Sequence, residues 1–167
     1  RIVIAVDGPA ASGKGTIARA LAEHFGLPHM DTGALYRAVA LNLWRWGGDP
    51  ASEFEAVRAC DDIGSNLEDP ELRSEPVSRI ASRISAYPAV REALLERQRE
   101  FAAQPGGAVL DGRDIGTVIA PSAAAKLYVT ASPEVRARRR CGEVERLGLH
   151  PTFEEVLIDI RAPDERD

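Results

Sequence analysis

The stretch from Ile2 to Phe25 constrains the fold more tightly than any other. An apolar run, Ile2 to Val6, leads into GPAASGKGT, after which Ile17, Ala18, Leu21, Ala22 and Phe25 recur at helical spacing. The order is strand, glycine-rich loop, helix. The loop fits G-x-x-x-x-G-K through Gly8, Gly13 and Lys14, and it continues Gly15-Thr16 where many such loops place Ser or Thr directly after the lysine. Glycines there let successive backbone N–H groups turn toward phosphate oxygens at the positive end of the following helix. Gly8, Pro9, Ala10, Ala11, Ser12, Gly13, Lys14, Gly15 and Thr16 are therefore expected to cradle a nucleotide's phosphates. Lys14 would reach the β- and γ-phosphates, and the Thr16 hydroxyl would face Mg²⁺. A plain glycine turn with a chance lysine would not need strand, motif and helix to coincide.

At 167 residues, 44% of them hydrophobic, the chain has the size of one globular domain with a real core. Its net charge of −5 argues against non-specific nucleic-acid binding. Of 21 basic residues only Lys14 and Lys126 are lysine, so any anionic ligand beyond the loop must be met by arginines. Cys60 and Cys141 have no metal or redox spacing, His24, His29 and His150 form no cluster, and there is neither a signal peptide nor an apolar run long enough to cross a membrane. A reduced, cytoplasmic home is expected, and so is a monomer.

After the first helix, LPHM reads as a short strand, and DTGALYRAVALNLWRWGG as a helix with Leu35, Val39, Leu43 and Trp46 on its apolar side, stopped by Gly47-Gly48. The segment from Asp49 to about Pro88 is polar and broken by Pro50, Pro70 and Pro76, and reads as a mobile insertion of short helices outside the core. A long helix begins at Pro88 with Val90, Leu94, Leu95 and Phe101 on one side. GGAVLDG and AKLYVTAS read as buried parallel strands ending at Asp111 and Thr130, at the edge that carries a ligand. Ser132 caps the next helix, with Pro133 at its first position, and TFEEVLIDIR is a last helical segment.

Two further groups carry chemistry. Arg136, Arg139 and Arg140 share one helical face and can aim three guanidiniums at one polyphosphate, although a solvated basic face is the ordinary fate of such a run. Asp111 stands at a strand end, where a Walker-B-type carboxylate would hold Mg²⁺ or its water; a turn aspartate capping the next segment is the alternative. Gly112-Arg113-Asp114 then places a guanidinium and a second carboxylate close behind.

GPAASGKGT, DTGALYRA, PAVREALLERQREFA, DGRDIGTVI and TASPEVRARRR together resemble the bacterial cytidylate kinases, nucleoside-monophosphate kinases of the P-loop fold, along nearly the whole chain outside the middle segment. The resemblance implies an α/β three-layer P-loop NTPase fold with a parallel sheet: a core at 1–48 and 88–141, a monophosphate-binding insertion at about 49–87 and a lid at about 142–166. It implies transfer of the γ-phosphoryl group of ATP, with Mg²⁺, to CMP or dCMP. Lys14, Arg113, Arg136 and Arg139 would neutralise the moving charge. Arg37 and Arg113 would grip the acceptor phosphate beside Thr32 and Tyr36, Ser82, Arg91 and Asp114 would meet the cytosine, and Asp167 would meet the ribose. The partners implied are small nucleotides, not nucleic acid or membrane.

The chain departs from the family in two places: the insertion is short and helix-like, and Pro163 stands where the family carries an arginine. A further strand and terminal helix are expected beyond Asp167. Rival readings are a P-loop kinase for another metabolite or for UMP, and a GTP-binding switch suggested by D-x-x-G at Asp61 to Gly64. The N-K-x-D guanine motif is absent.

Overall fold

The computed structural model describes residues 1–146, 154–158 and 161. Asp167 and most of the expected lid lie outside them. The chain divides into two compact units, one of Arg1–Gly33 with Leu95–Arg136, the other of Ala34–Leu94 with Ala137–Asp167.

The first unit is built on β1 (Ile2–Asp7), β2 (His29–Asp31), β3 (Gly107–Gly112) and β4 (Ala125–Tyr128), all parallel, in the order β2-β3-β1-β4. Helix α1 (Lys14–Phe25) follows β1. Side chains alternate across a strand, so each apolar run feeds two faces. Ile4, Val6 and Val109 pack with Ala18 and Ala22 of α1. Val3, Ala5, Ala108 and Leu110 face the other way, onto Ala102, Ile115 and Ile119. Covered faces on both sides are what near-continuous apolar strands require. The strand order brings the carboxyl ends of β1 and β3 together, the edge at which open α/β sheets bind ligands.

β4 corrects one expectation. It stops at Tyr128, short of Thr130, and Ala125, Lys126 and Tyr128 are exposed. Among the described residues it pairs only with β1.

The second unit is helical. It takes α2 (Thr32–Trp46) from Ala34 onward, α3 (Glu53–Arg58), two 3₁₀ turns at Gly64–Glu68 and Pro70–Arg73, and α4 (Glu75–Ile84). It also takes α5 (Pro88–Ala103) up to Leu94 and α6 (Pro133–Arg146) from Ala137. Leu35, Val39 and Leu43 are buried as their spacing predicts, but Trp46 is 56% exposed, because it ends α2 where Gly47 turns the chain with φ 68°.

The middle segment is also corrected. It is not a polar appendage outside the core: Ala56, Ala59, Ile63, Leu72, Val77, Ala81 and Ile84 are buried. Short elements hid these residues, since outside α4, which buries Val77, Ala81 and Ile84, none contributes more than one of them and Ala59 and Ile63 lie between helices. Some of the polar groups between them are matched internally. The Asn66 amide, 7% exposed, donates to the Ala38 carbonyl at 2.9 Å and to Asn42 Oδ1 at 2.7 Å, and the Tyr87 hydroxyl donates to the Pro50 carbonyl at 2.7 Å. No described helix is long and apolar enough to cross a membrane.

Candidate active site

The loop after β1 has the conformation its glycines suggested. Gly13 adopts φ 96°, a left-handed backbone that an L side chain resists, and α1 starts at the next residue, Lys14. Gly8 is required for a different reason: a Cβ there would stand 2.1 Å from the Val129 carbonyl oxygen. Ala11 is held at φ 58°, a strained choice for a residue with a Cβ. No side chain caps the start of α1, and its first turn carries no acidic residue. The positive end of that helix therefore points at the loop without a built-in anion. A Cβ at Gly15 would meet nothing within 4 Å, so the loop leaves open space beside the first turn.

Two cations belong to this loop. Lys14 Nζ donates to the Pro9 carbonyl at 3.2 Å, folded back over its own turn. Arg136, 3% exposed, donates through Nε to the Ala131 carbonyl at 3.0 Å and through Nη1 to the Ala10 carbonyl at 3.5 Å. It is positioned by the cap foreseen in the sequence, in which the Val135 N–H donates to Ser132 Oγ at 3.2 Å.

The arginine run does not act as one face. Arg139 is exposed, whereas Arg140, 8% exposed, donates through Nε to Glu75 Oε1 at 2.9 Å and through Nη2 to Ser78 Oγ. Arg140 is thus built into the packing of α4 against α6, and the expectation of three guanidiniums aimed at one polyphosphate fails for it. Helical spacing showed which arginines share a side but not which carboxylate stands opposite.

Asp111 and Asp7 mark the adjoining strand ends on opposite faces. Asp111 follows Val109 on the α1 side and is 2% exposed. His29, paired with Val109 in the β2–β3 register, reaches diagonally to Asp111 and hydrogen-bonds its carboxylate through Nε2. The Thr32 hydroxyl donates to the Asp111 backbone carbonyl at 2.8 Å. Histidine spacing gave no hint of the His29 contact, which depends on strand register alone.

Asp7 follows Ala5 on the other face and is 8% exposed. Its Oδ1 accepts the Ile115 N–H at 2.8 Å and its Oδ2 the Gly116 N–H at 2.9 Å. These two amides open a wide π-type turn, Ile115–Ile119. Sequence reasoning passed over Asp7, although a carboxylate ending an apolar strand beside a glycine loop was a usable signal. The backbone joins the same two strand ends, with the Gly8 N–H donating to the Gly112 carbonyl at 3.0 Å.

Arg113, exposed, and Asp114, half-buried, lie between β3 and that turn in the first unit, with buried Thr32. Tyr36, Arg37 and Ser82, all half-buried, and exposed Arg91 and Arg139 belong to the second. As for a metal, no group of three His, Cys, Asp or Glu among the described residues could hold one unaided. The oxygen donors that the sequence offers for a metal are the exposed Thr16 hydroxyl and the buried Asp111 carboxylate. Such a sparse, hard donor set fits Mg²⁺ arriving with a nucleotide, since that ion keeps waters and takes phosphate oxygens.

Known proteins share this arrangement of sequence. A family model described as cytidylate kinase matches residues 4–167. A cytidylate kinase from a Methylobacterium species is 57% identical over 167 residues, which cover 99% of this chain and 80% of that protein. Those of Xanthobacter autotrophicus and Rhodopseudomonas palustris are 56% and 52% identical, with 99% of this chain and 80% and 79% of theirs covered. A family model that spans residues 4–167, with relatives 52–57% identical over 99% of the chain, puts the chain in the cytidylate kinase family.

Proposed function

We propose that the chain transfers the γ-phosphoryl group of ATP, bound as its Mg²⁺ complex, to CMP and dCMP. A phosphate oxygen of the acceptor attacks the γ-phosphorus, the bond from that phosphorus to the bridging β,γ-oxygen breaks, and ADP leaves with the nucleoside diphosphate. The observation that carries this reading is the glycine loop, with Gly13 at φ 96° and Lys14 opening α1, in a member of the cytidylate kinase family. Mg²⁺, when bound with the nucleotide, would supply charge neutralisation at the transferred phosphoryl group. Thr16 and Asp111 would hold it or its waters.

The rest falls to the chain's own groups. The loop from Gly8 to Thr16 holds the β- and γ-phosphates, through backbone N–H groups that follow Pro9, and Lys14 and Arg136 add positive charge at the same loop. Arg37 and Arg113 grip the acceptor phosphate with Thr32 and Tyr36, and Arg139 completes the charge around the transferred group. No general base is needed, because the attacking oxygen is already ionised. Ser82, Arg91 and Asp114 read the base. Arg91, a donor only, suits cytosine N3 and O2, and the Asp114 carboxylate suits the N4 amino group. A cytoplasmic monomer working on small nucleotides belongs to the same reading, supported by a net charge of −5 that disfavours nucleic acid.

A coupled ADP-release assay with a panel of acceptors tests the proposal. CMP and dCMP should be turned over, with UMP poorer by about one or more powers of ten, because uracil leaves both base-reading groups mismatched. ADP release driven by another small metabolite and not by CMP would overturn it.

A further inference from the structure

We infer that Asp7 is a specificity-determining positioning residue: its carboxylate, at the end of β1, sets the segment that carries Arg113 and Asp114. The inference rests on the base-reading role proposed above for Asp114. Asp7 is buried, and both of its oxygens accept backbone N–H groups, from Ile115 at 2.8 Å and Gly116 at 2.9 Å. Those amides lie immediately after Asp114 and begin the Ile115–Ile119 turn.

An aspartate standing before a helical turn ordinarily caps it with its own side chain. Asp114 makes no such cap hydrogen bond. Its main chain serves the turn instead, its carbonyl accepting the Val118 N–H at 2.8 Å and the Ile119 N–H at 3.2 Å. Asp7 supplies the cap from a neighbouring strand, which releases the Asp114 carboxylate from capping its own turn. The segment is thereby pinned at one end by β3, in register with β1 through Asp7 opposite Gly112, and at the other by the Asp7 carboxylate. Asp7 also immediately precedes Gly8. One strand end thus sets the first residue of the phosphate loop and the two amides behind the base-reading aspartate.

Asp7→Asn removes one of the two charged acceptors while keeping the shape of the side chain. Its amide nitrogen must confront one of the two N–H donors. Gly116→Ala presses on the same contact from the other side, since a Cβ there would lie 3.3 Å from Asp7 Oδ2 and 3.2 Å from Lys126 Cδ. The measurements are kcat and KM for CMP and for UMP, calorimetric affinity for Mg-ATP without acceptor, and amide exchange at Ile115 and Gly116.

In Asp7→Asn, kcat/KM for CMP should fall about ten- to a hundredfold, the loss expected for one charged hydrogen bond, chiefly through KM. The ratio of CMP to UMP efficiency should narrow, exchange at the two amides should quicken, and Mg-ATP affinity should stay within about threefold of wild type. Gly116→Ala should move each quantity in the same direction by less, and it decides the matter should Asp7→Asn fail to fold. Equal losses for CMP and UMP, or a loss confined to Mg-ATP, would overturn the inference. Wild-type enzyme that does not prefer CMP would instead indict the proposed base-reading, and the amide exchange would still report whether Asp7 holds the turn.

Discussion

In the sheet-bearing unit Asp7, 8% exposed, satisfies both oxygens with neutral backbone N–H groups, whereas in the helical unit Glu75, 5% exposed, faces the guanidinium of Arg140. Its second oxygen, Oε2, has no hydrogen-bond partner among the described residues. The two solutions differ in what they demand of the surroundings. Backbone donors hold a carboxylate without a second charge to desolvate, so the same strand end can position a loop precisely. A buried ion pair requires both partners, and loss of either leaves the other stranded. The first unit keeps its chemistry in loops laid over an apolar sheet. The second builds its charged groups into the packing itself.

The largest expected effect breaks the first half of this contrast. Lys14 is half-buried and its Nζ donates to the Pro9 carbonyl of its own loop, away from the apolar core, so Lys14→Met should leave the melting temperature almost unchanged. Phosphoryl transfer should nevertheless fall by at least about two to three powers of ten, as when a preorganised transition-state donor is removed. Thermal melts beside turnover numbers check it. A collapse of stability matching the loss of activity would show that loop and fold are not separable there.

The next test addresses the second unit. Glu75→Gln should destabilise by about 3–5 kcal/mol, because it leaves the buried Arg140 without its carboxylate. Replacing both partners, Glu75→Leu with Arg140→Met, should recover most of that loss. Urea unfolding of wild type, Glu75→Leu, Arg140→Met and the double gives the coupling directly. Additive losses across the cycle would mean that the pair does not act as a unit.

The smallest effect concerns a surface pair in the same unit. The Asp69 carboxyl is held below its ordinary value of 3.8, first by the Glu71 N–H and then by the Arg45 guanidinium, 2.6 Å away. A depressed folded-state pKa stabilises fully above the unfolded value and loses that contribution as pH falls through the folded one. Wild type should therefore melt slightly above Asp69→Asn near neutral pH, and the gap should close below about pH 4. Added salt should narrow it too, as screening of an exposed pair requires. A gap that persists in acid would assign the effect to capping and not to charge.

Much of the first unit was legible in the residues. Ile2 to Val6 and Ala108 to Leu110 are apolar without interruption because both faces of those strands are covered, and Gly8, Gly13 and Lys14 carry their own spacing. The second unit was less legible. Ala56, Ile63 and Leu72 are spread over separate short elements and the turns between them, so no period was long enough to mark them as core.

Sequence alone determined that a glycine loop with a lysine joins a buried strand to a helix, because local sterics and hydrophobic alternation act between near neighbours. It also determined the family, since the motifs carry it without coordinates. Tertiary structure alone decided the fate of each charge: His29 against Asp111, Asp7 on the amides of Ile115 and Gly116, Arg140 on Glu75. Those partners lie 82, 108, 109 and 65 residues apart in the chain. No local period can encode them, and only strand register and helix packing bring the donors to their acceptors.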